Sequence, residues 1–271
     1  MIRDITIGQY YPADSPLHKM DPRVKLFATV IYVIALFCFK GIVGLALISA
    51  FLCAVIKISK VPFKFMTKGL KAIVVLVIIT SLFNLLATPG DIVFWKWGSL
   101  QVTDQGILNA FMMTIRLIYL ILGTSLMTLT TTPNQLTNGL EKALSPLNKI
   151  HVPVHSIAMM MSIALRFIPI LIEETDKIMK AQMARGADFE NGNIAQKAKA
   201  MVPLLVPLFV SAFRRAEDLA MAMEARCYNG GEGRTKMKPL KYQKRDYIGY
   251  AIVIVFLVLI IVAAYLLPFP Q

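Results

Sequence analysis

Charge is scarce in this chain: Asp, Glu, Lys and Arg make up 17% of its 271 residues, while 56% are hydrophobic. A soluble globular domain carries more charge than that, and the balance points to a membrane protein. The first residues, MIRDITIGQYYPADSPLHKMDPR, are polar and lack the basic start and apolar core of a secretory signal. No G-x-x-x-x-G-K-[ST] run is present, so there is no phosphate-cradling loop of that type. Three cysteines, Cys38, Cys53 and Cys227, have neither disulfide nor metal spacing, and the first two read as small buried thiols in apolar spans. His18, His151 and His155 form no ligand cluster, because Pro153 interrupts the i,i+4 pair and no acid accompanies it, so no metal site is expected. No acid falls inside any apolar run, as a proton relay or cation path would require. Arg116, the main intramembrane charge, is expected to bond backbone carbonyls or a neighbouring helix. These absences argue against an enzyme acting alone and against a self-sufficient channel, the two rival classes.

The apolar residues are concentrated in five runs: residues 24 to 39, 41 to 56, 72 to 87, 106 to 129 and 248 to 267. The last would cross about 30 Å of hydrocarbon at about 1.5 Å per residue, and the first two need their flanks to do so. A Gly41–Gly44 break separates the first pair. The net charge is +13, and its location orients the chain. Lys57, Lys60, Lys64, Lys68 and Lys71 follow the second run with no acid among them, whereas the other short loops carry only Lys40 and Lys96. The positive-inside rule then places the N-terminus and residues 131 to 246 in the cytoplasm and the C-terminus outside. Trp95 and Trp97, in the outer loop, suit an interfacial aromatic belt. The cationic surface is explained by the bilayer, and no nucleic-acid partner is expected.

Residues 131 to 246 are too patterned to be a loop. Thr132, Pro133 and Gln135 make a capping box, and a helix of about 12 residues should follow. A second helix should run from about Val154 to Arg185, bent at Pro169, with Glu173–Lys177 and Asp176–Lys180 as i,i+4 pairs. A third should run from about Ala195 to Tyr228 and stop at the NGGEG stretch. Both long helices have an apolar, proline-interrupted front half and a charged back half. The apolar halves are expected to pack outside the membrane, because two re-entrant spans would carry Arg166 into lipid at a cost of several kcal/mol. Met159, Met160 and Met161 are either gap-filling core or an adaptable partner surface, since thioether chains repack cheaply.

Both long helices end alike, one in Ala184-Arg185-Gly186 and the other in Ala225-Arg226-Cys227. An arginine at a helix C-terminus meets the negative end of the dipole, which any helix can use. Two such ends on similarly built helices, each with a small alanine that permits close approach, ask for a further reason.

These ends, the opening YYPADSPLHKMDPRVKL, and the segments TTPNQLTNGLEKALSPL, SIALRFIPILIEETDKIMKAQMARGAD and RRAEDLAMAMEARCY together resemble the transmembrane T component of energy-coupling factor transporters, essentially over the whole chain. The opening is most similar to the shared version of Gram-positive bacteria. The resemblance implies an all-α integral membrane protein of about five transmembrane helices with a cytoplasmic coupling domain of three helices. It divides the chain into residues 1–130 (N-terminal segment and the first four spans), 131–246 (coupling domain) and 247–271 (the last span). It implies a non-catalytic subunit of an ABC-type importer of vitamins or other micronutrients in the bacterial plasma membrane, needing no cofactor itself. Its partners would be two homologous ATPase subunits and a small substrate-binding S component. The ATPase-binding residues implied are Ala184, Arg185, Gly186, Ala225, Arg226 and Cys227, where Cys227 replaces the usual glycine and puts the second cap's geometry in question. Met159, Met160 and Met161 are the candidate surface for the S component.

Overall fold

The computed structural model of the chain describes residues 10–39, 41–89, 93–97, 100–187, 189, 193–230, 237 and 239–266. Lys40, Gly98, most of the NGGEG stretch and residues 267 to 271 of the last expected span lie outside the described residues. The chain divides into two compact units, one built from Gly8–Leu140 with Leu240–Gln271, the other containing Glu141–Pro239. The second is thus an insertion into the first.

The first unit is a helical bundle. Its elements are α1 (Pro22–Cys38), α2 (Gly41–Ser59), α3 (Phe63–Ala87), α4 (Asp104–Thr130), most of α5 (Pro133–Ala143) and α8 (Lys244–Leu266), with a hairpin of β1 (Val93–Trp97) and β2 (Leu100–Thr103) between α3 and α4. Trp95 and Trp97 lie on β1, which pairs antiparallel with β2. The elements start where the sequence provides caps. Asp21 accepts from the Arg23 N–H with Pro22 in the first turn, and Thr103 accepts from the Gly106 N–H at 3.0 Å. At α5 the Thr132 hydroxyl accepts from the Gln135 N–H at 3.3 Å and the Gln135 side chain accepts from the Thr132 N–H at 3.2 Å, the expected reciprocal box.

Helix α1 packs against α4 and α8, and α4 also lies along α3. The shared core contains Leu36, Phe39, Ile48, Leu126, Phe256 and Ile260. Phe51 of α2 stacks on Phe256 of α8 with ring centroids 4.0 Å apart. Gly123 admits the Tyr32 ring between α1 and α4, since a β-carbon there would lie 2.1 Å from a ring atom. Outward faces carry large apolar side chains, Phe83 of α3 being 70% exposed, as helices bordered by lipid require. Cys38 and Cys53 belong to these outward faces and are exposed, not buried as expected, because each lies off the packed seam of its helix.

Helices α2, α4, α6 (Val154–Ala184) and α8 are long and apolar enough to cross a membrane, and α3, bent by 62° between Phe63–Lys71 and Ile73–Ala87, makes a fifth if its two parts form one span. With α3 counted the number reaches the five expected, but the membership differs. Helix α1 has 17 residues, the lower limit for crossing about 30 Å. Helix α6, expected outside the membrane, has close to the expected extent, 31 residues with Pro169 inside it, and it meets the length and apolarity of a span. Arg116 behaves as expected of a charge among apolar helices: it reaches the Phe39 carbonyl at 3.5 Å and lies over the Phe39 ring, 4.8 Å from its centroid.

The segment before α1 is fixed by side chains. His18 Nε2 donates to the Tyr11 carbonyl at 3.0 Å, so Nδ1, 2.7 Å from Ser15 Oγ, is the acceptor in the neutral ring. Burial accordingly pushes the imidazole below its ordinary pKa, despite the Tyr11 hydrogen bond. The two ends of the bundle are joined by Asp246, 1% exposed, whose carboxylate accepts from the Asp21 N–H at 2.9 Å and the Gln243 N–H at 2.8 Å. Removing it leaves both amides without this acceptor, and hydrogen bonds to charged groups are worth about 1.5–3 kcal/mol each. Asp246→Ala is expected to cost about 3 kcal/mol and to lower the thermal midpoint of the detergent-solubilised chain by roughly 6–12 °C. A midpoint unchanged in a fluorescence melt would show that the clasp contributes nothing.

Candidate functional site

The second unit contains a 3-10 turn (Ser145–Ile150), α6 and α7 (Ile194–Ala225). Three polar contacts fix α6 against α7. Glu174 accepts from the Ser211 hydroxyl and from Arg215, Nη2 at 2.9 Å and Nε at 3.2 Å. Eight residues on, Gln182 Nε2 donates to the Pro203 carbonyl at 3.3 Å. That carbonyl is free because the residue four positions later is Pro207, which has no N–H to return. The pairing of 174 with 211 and 215, and of 182 with 203, makes the two helices antiparallel. An apolar groove of about 390 Å³ continues between them, walled by Ile163, Phe167, Leu219 and Met223.

The expected pairs Glu173–Lys177 and Asp176–Lys180 do not close. Among the described residues the ion pair joining these helices is Glu174–Arg215, in which the carboxylate takes a forked guanidinium and a hydroxyl. His155 also departs from expectation. Glu141 of α5 stands 3.1 Å from its Nδ1, an acid brought in by the fold from 14 residues upstream.

The two Ala-Arg ends share one geometry. At α6 the Gly186 N–H bonds the Met183 carbonyl and the Ala187 N–H bonds the Gln182 carbonyl, both at 3.0 Å. At α7 the Cys227 N–H bonds the Glu224 carbonyl at 2.8 Å and the Tyr228 N–H bonds the Met223 carbonyl at 3.0 Å. Both are Schellman caps, with a 5→2 and a 6→1 bond, and both place the arginine at the C-cap. Each cap needs a left-handed residue next, supplied by Gly186 at φ +90° and by Cys227 at φ +57°. Cys227 therefore does not change the backbone: it adopts the glycine-type conformation, which costs a side chain about 1–2 kcal/mol. Ala184, Arg185, Gly186, Ala225, Arg226 and Cys227 are all exposed, and neither guanidinium has a hydrogen-bond or ion-pair partner among the described residues.

The two arginines stand far apart. In the antiparallel pair Arg185 lies near the level of Pro203, and from Pro203 to Arg226 is roughly 35 Å of helix at 1.5 Å per residue. Met160 and Met161 are 58% and 43% exposed, and Met159 is half-buried, so the triplet is a surface and not a filled core.

Conformation and side chain make different predictions at the two caps. Gly186→Ala places a β-carbon at φ +90°, with open space around it, and is expected to weaken that cap by about 1 kcal/mol. Cys227→Gly relieves strain but adds unfolded-state freedom of about 0.5–1 kcal/mol, so it is expected to change little. Amide exchange at Ala187 and Tyr228, the donors of the 6→1 bonds, reads both. Slower exchange at Ala187 in Gly186→Ala would contradict the cap geometry.

Known proteins place this architecture. A family described as "CbiQ: Cobalt transport protein" matches residues 13–237. The chain is 57% identical over 249 residues to the energy-coupling factor transporter transmembrane protein EcfT of Clostridium kluyveri, covering 92% of each chain. It is 51% identical to the protein of that name from Ruminiclostridium cellulolyticum, covering 98% of this chain and 99% of the relative. To that of Bacillus subtilis it is 49% identical, covering 91% and 93%. With multiple membrane-spanning helices and identity of this order over nearly its full length, the chain belongs to the transmembrane-protein family of energy-coupling factor transporters.

Proposed function

We propose that the chain couples two ABC-type ATPase subunits to a small membrane S component that binds the substrate, and converts the movement of the ATPases into import of a vitamin or other micronutrient. The observation that carries this reading is the pair of matched C-caps. Each presents an exposed arginine with a small residue before it, and the two stand too far apart to serve one binding site. A guanidinium offers five donors in a rigid fork suited to carboxylates and carbonyls. Two equal ends at that separation fit two homologous partners, one ATPase at Ala184-Arg185-Gly186 and one at Ala225-Arg226-Cys227. Met159, Met160 and Met161 offer the S component a repackable apolar surface. Residues 131 to 246 then form a cytoplasmic coupling domain and residues 1–130 and 247–271 the membrane part. The N-terminus faces the cytoplasm, the C-terminus the outside, and Trp95 and Trp97 the outer interface. Substrate choice sits in the S component, and this subunit needs no cofactor.

Removing one partner of a charged pair at an interface costs about 2–5 kcal/mol. Arg185→Ala or Arg226→Ala should therefore weaken ATPase association by roughly one to three decades. Lysine should rescue poorly because it lacks the planar fork. The double variant should still fold but lose both ATPases and uptake. Co-purified ATPase per chain, with substrate uptake in vesicles, measures this. Full assembly and uptake in the double variant would reduce the arginines to ordinary helix ends.

The orientation has its own test in a cysteine-free background. A cysteine at Gly98 should react with an impermeant thiol reagent from outside, and one at Thr67 should not. The reverse pattern would invert the topology.

A further inference from the structure

A half-open cavity of about 470 Å³ lies in the first unit, lined by α1, α2, α4, α8 and the segment before α1. That volume is in the range of small-molecule sites. Its wall is almost wholly apolar, with Phe51, Leu52, Leu126, Ile252 and Val253 among the lining residues. Two cations interrupt it, Lys25 near the start of α1 and Arg245 at the start of α8. Thr130, which also lines it, ends α4, so the charged rim lies at one end of the spans.

Neither cation has a counterion of its own. Lys25 is 5% exposed, and its Nζ donates to the carbonyls of Thr130 at 2.7 Å and His18 at 3.3 Å, which are neutral acceptors. Arg245 Nε is buried with no hydrogen-bond partner among the described residues. The two nearby carboxylates are committed elsewhere: Asp21 to the Arg23 amide and guanidinium, Asp246 to the amides of Asp21 and Gln243. The cavity's hydroxyls are also engaged as donors, Tyr32 to the Tyr119 carbonyl, Thr29 to the Lys25 carbonyl and Thr130 to the Leu126 carbonyl. A buried cation without an anion is costly, and an apolar cavity of this size is a volume to be filled.

We propose that this cavity binds one anionic phospholipid, with its phosphate on Lys25 and Arg245 and an acyl chain against Phe51, Leu126 and Ile252. A phosphate diester supplies the missing negative charge, and its chain supplies the missing apolar volume. A free phosphate would meet only the first need, and a zwitterionic lipid brings a diester whose charge its own cationic headgroup offsets. Basic pockets between helices at the cytoplasmic end of spans are where anionic headgroups are held.

The test is native mass spectrometry of the full-length chain released from mild detergent after incubation with phosphatidylglycerol or phosphatidylcholine. One phosphatidylglycerol should be retained about tenfold more than phosphatidylcholine, and Arg245→Gln should remove about that preference, the size expected for one charge-assisted contact. Ala28→Phe, which fills the cavity and leaves both cations in place, should abolish retention of the lipid, with a monodisperse elution profile confirming the fold. Equal retention of the two lipids, or unchanged preference in Arg245→Gln, would overturn the proposal. So would full displacement of phosphatidylglycerol by excess inorganic phosphate, which would make the site one for small anions.

Discussion

The membrane bundle is closed by one buried carboxylate. Asp246 takes the amide of Asp21 from the far end of the chain and the amide of Gln243 from its own helix start, and Asp21 in turn caps α1. A buried charge is tolerated only when its lone pairs are filled, and backbone amides at helix starts fill them with fixed dipoles aimed the right way. The carboxylate ties the start of α8 to the start of α1, and further along α8 Phe256 stacks on Phe51 of α2. The second unit can be inserted between α5 and α8 because the first closes on itself without it.

Much of this was legible in the sequence, for definite reasons. Apolar runs announce spanning helices because lipid offers no competing polar environment, and three of the five expected runs fall in helices that meet the length requirement, with a fourth if bent α3 is one span. The Thr132–Gln135 box and the two Ala-Arg ends were legible because caps are local: a few adjacent side chains decide them. What was not legible is long-range. Glu141 meets His155, Glu174 meets Arg215, and Asp246 meets the Asp21 amide only after folding, and no local spacing suggested any of the three. Cys38 and Cys53 were misplaced for a related reason, since an all-apolar helix does not declare which of its faces is packed and which meets lipid. Helix α6 runs through Pro169 to Ala184, close to the extent its pattern predicts, because one missing hydrogen bond does not end a helix whose periodicity continues on both sides.

The prolines of α7 have a use that composition alone does not express. Pro207 releases the carbonyl of Pro203, and Gln182 of α6 takes it. One local defect thereby becomes a tie between two helices, and with Glu174, Ser211 and Arg215 it holds the pair at two levels. A pair tied at two levels resists sliding and splaying of one helix against the other.

The clasp at Asp246 also sets a schedule for biogenesis. Its partner Asp21 lies 225 residues earlier in the chain. At about 5–20 residues per second, roughly 10–45 s of synthesis separate the two. Through that interval the early helices wait in the translocation machinery or the bilayer with the place of α8 open and the Phe51 ring facing whatever occupies it. The bundle becomes a closed object only when the last helix arrives, because α8 packs on both α1 and α2.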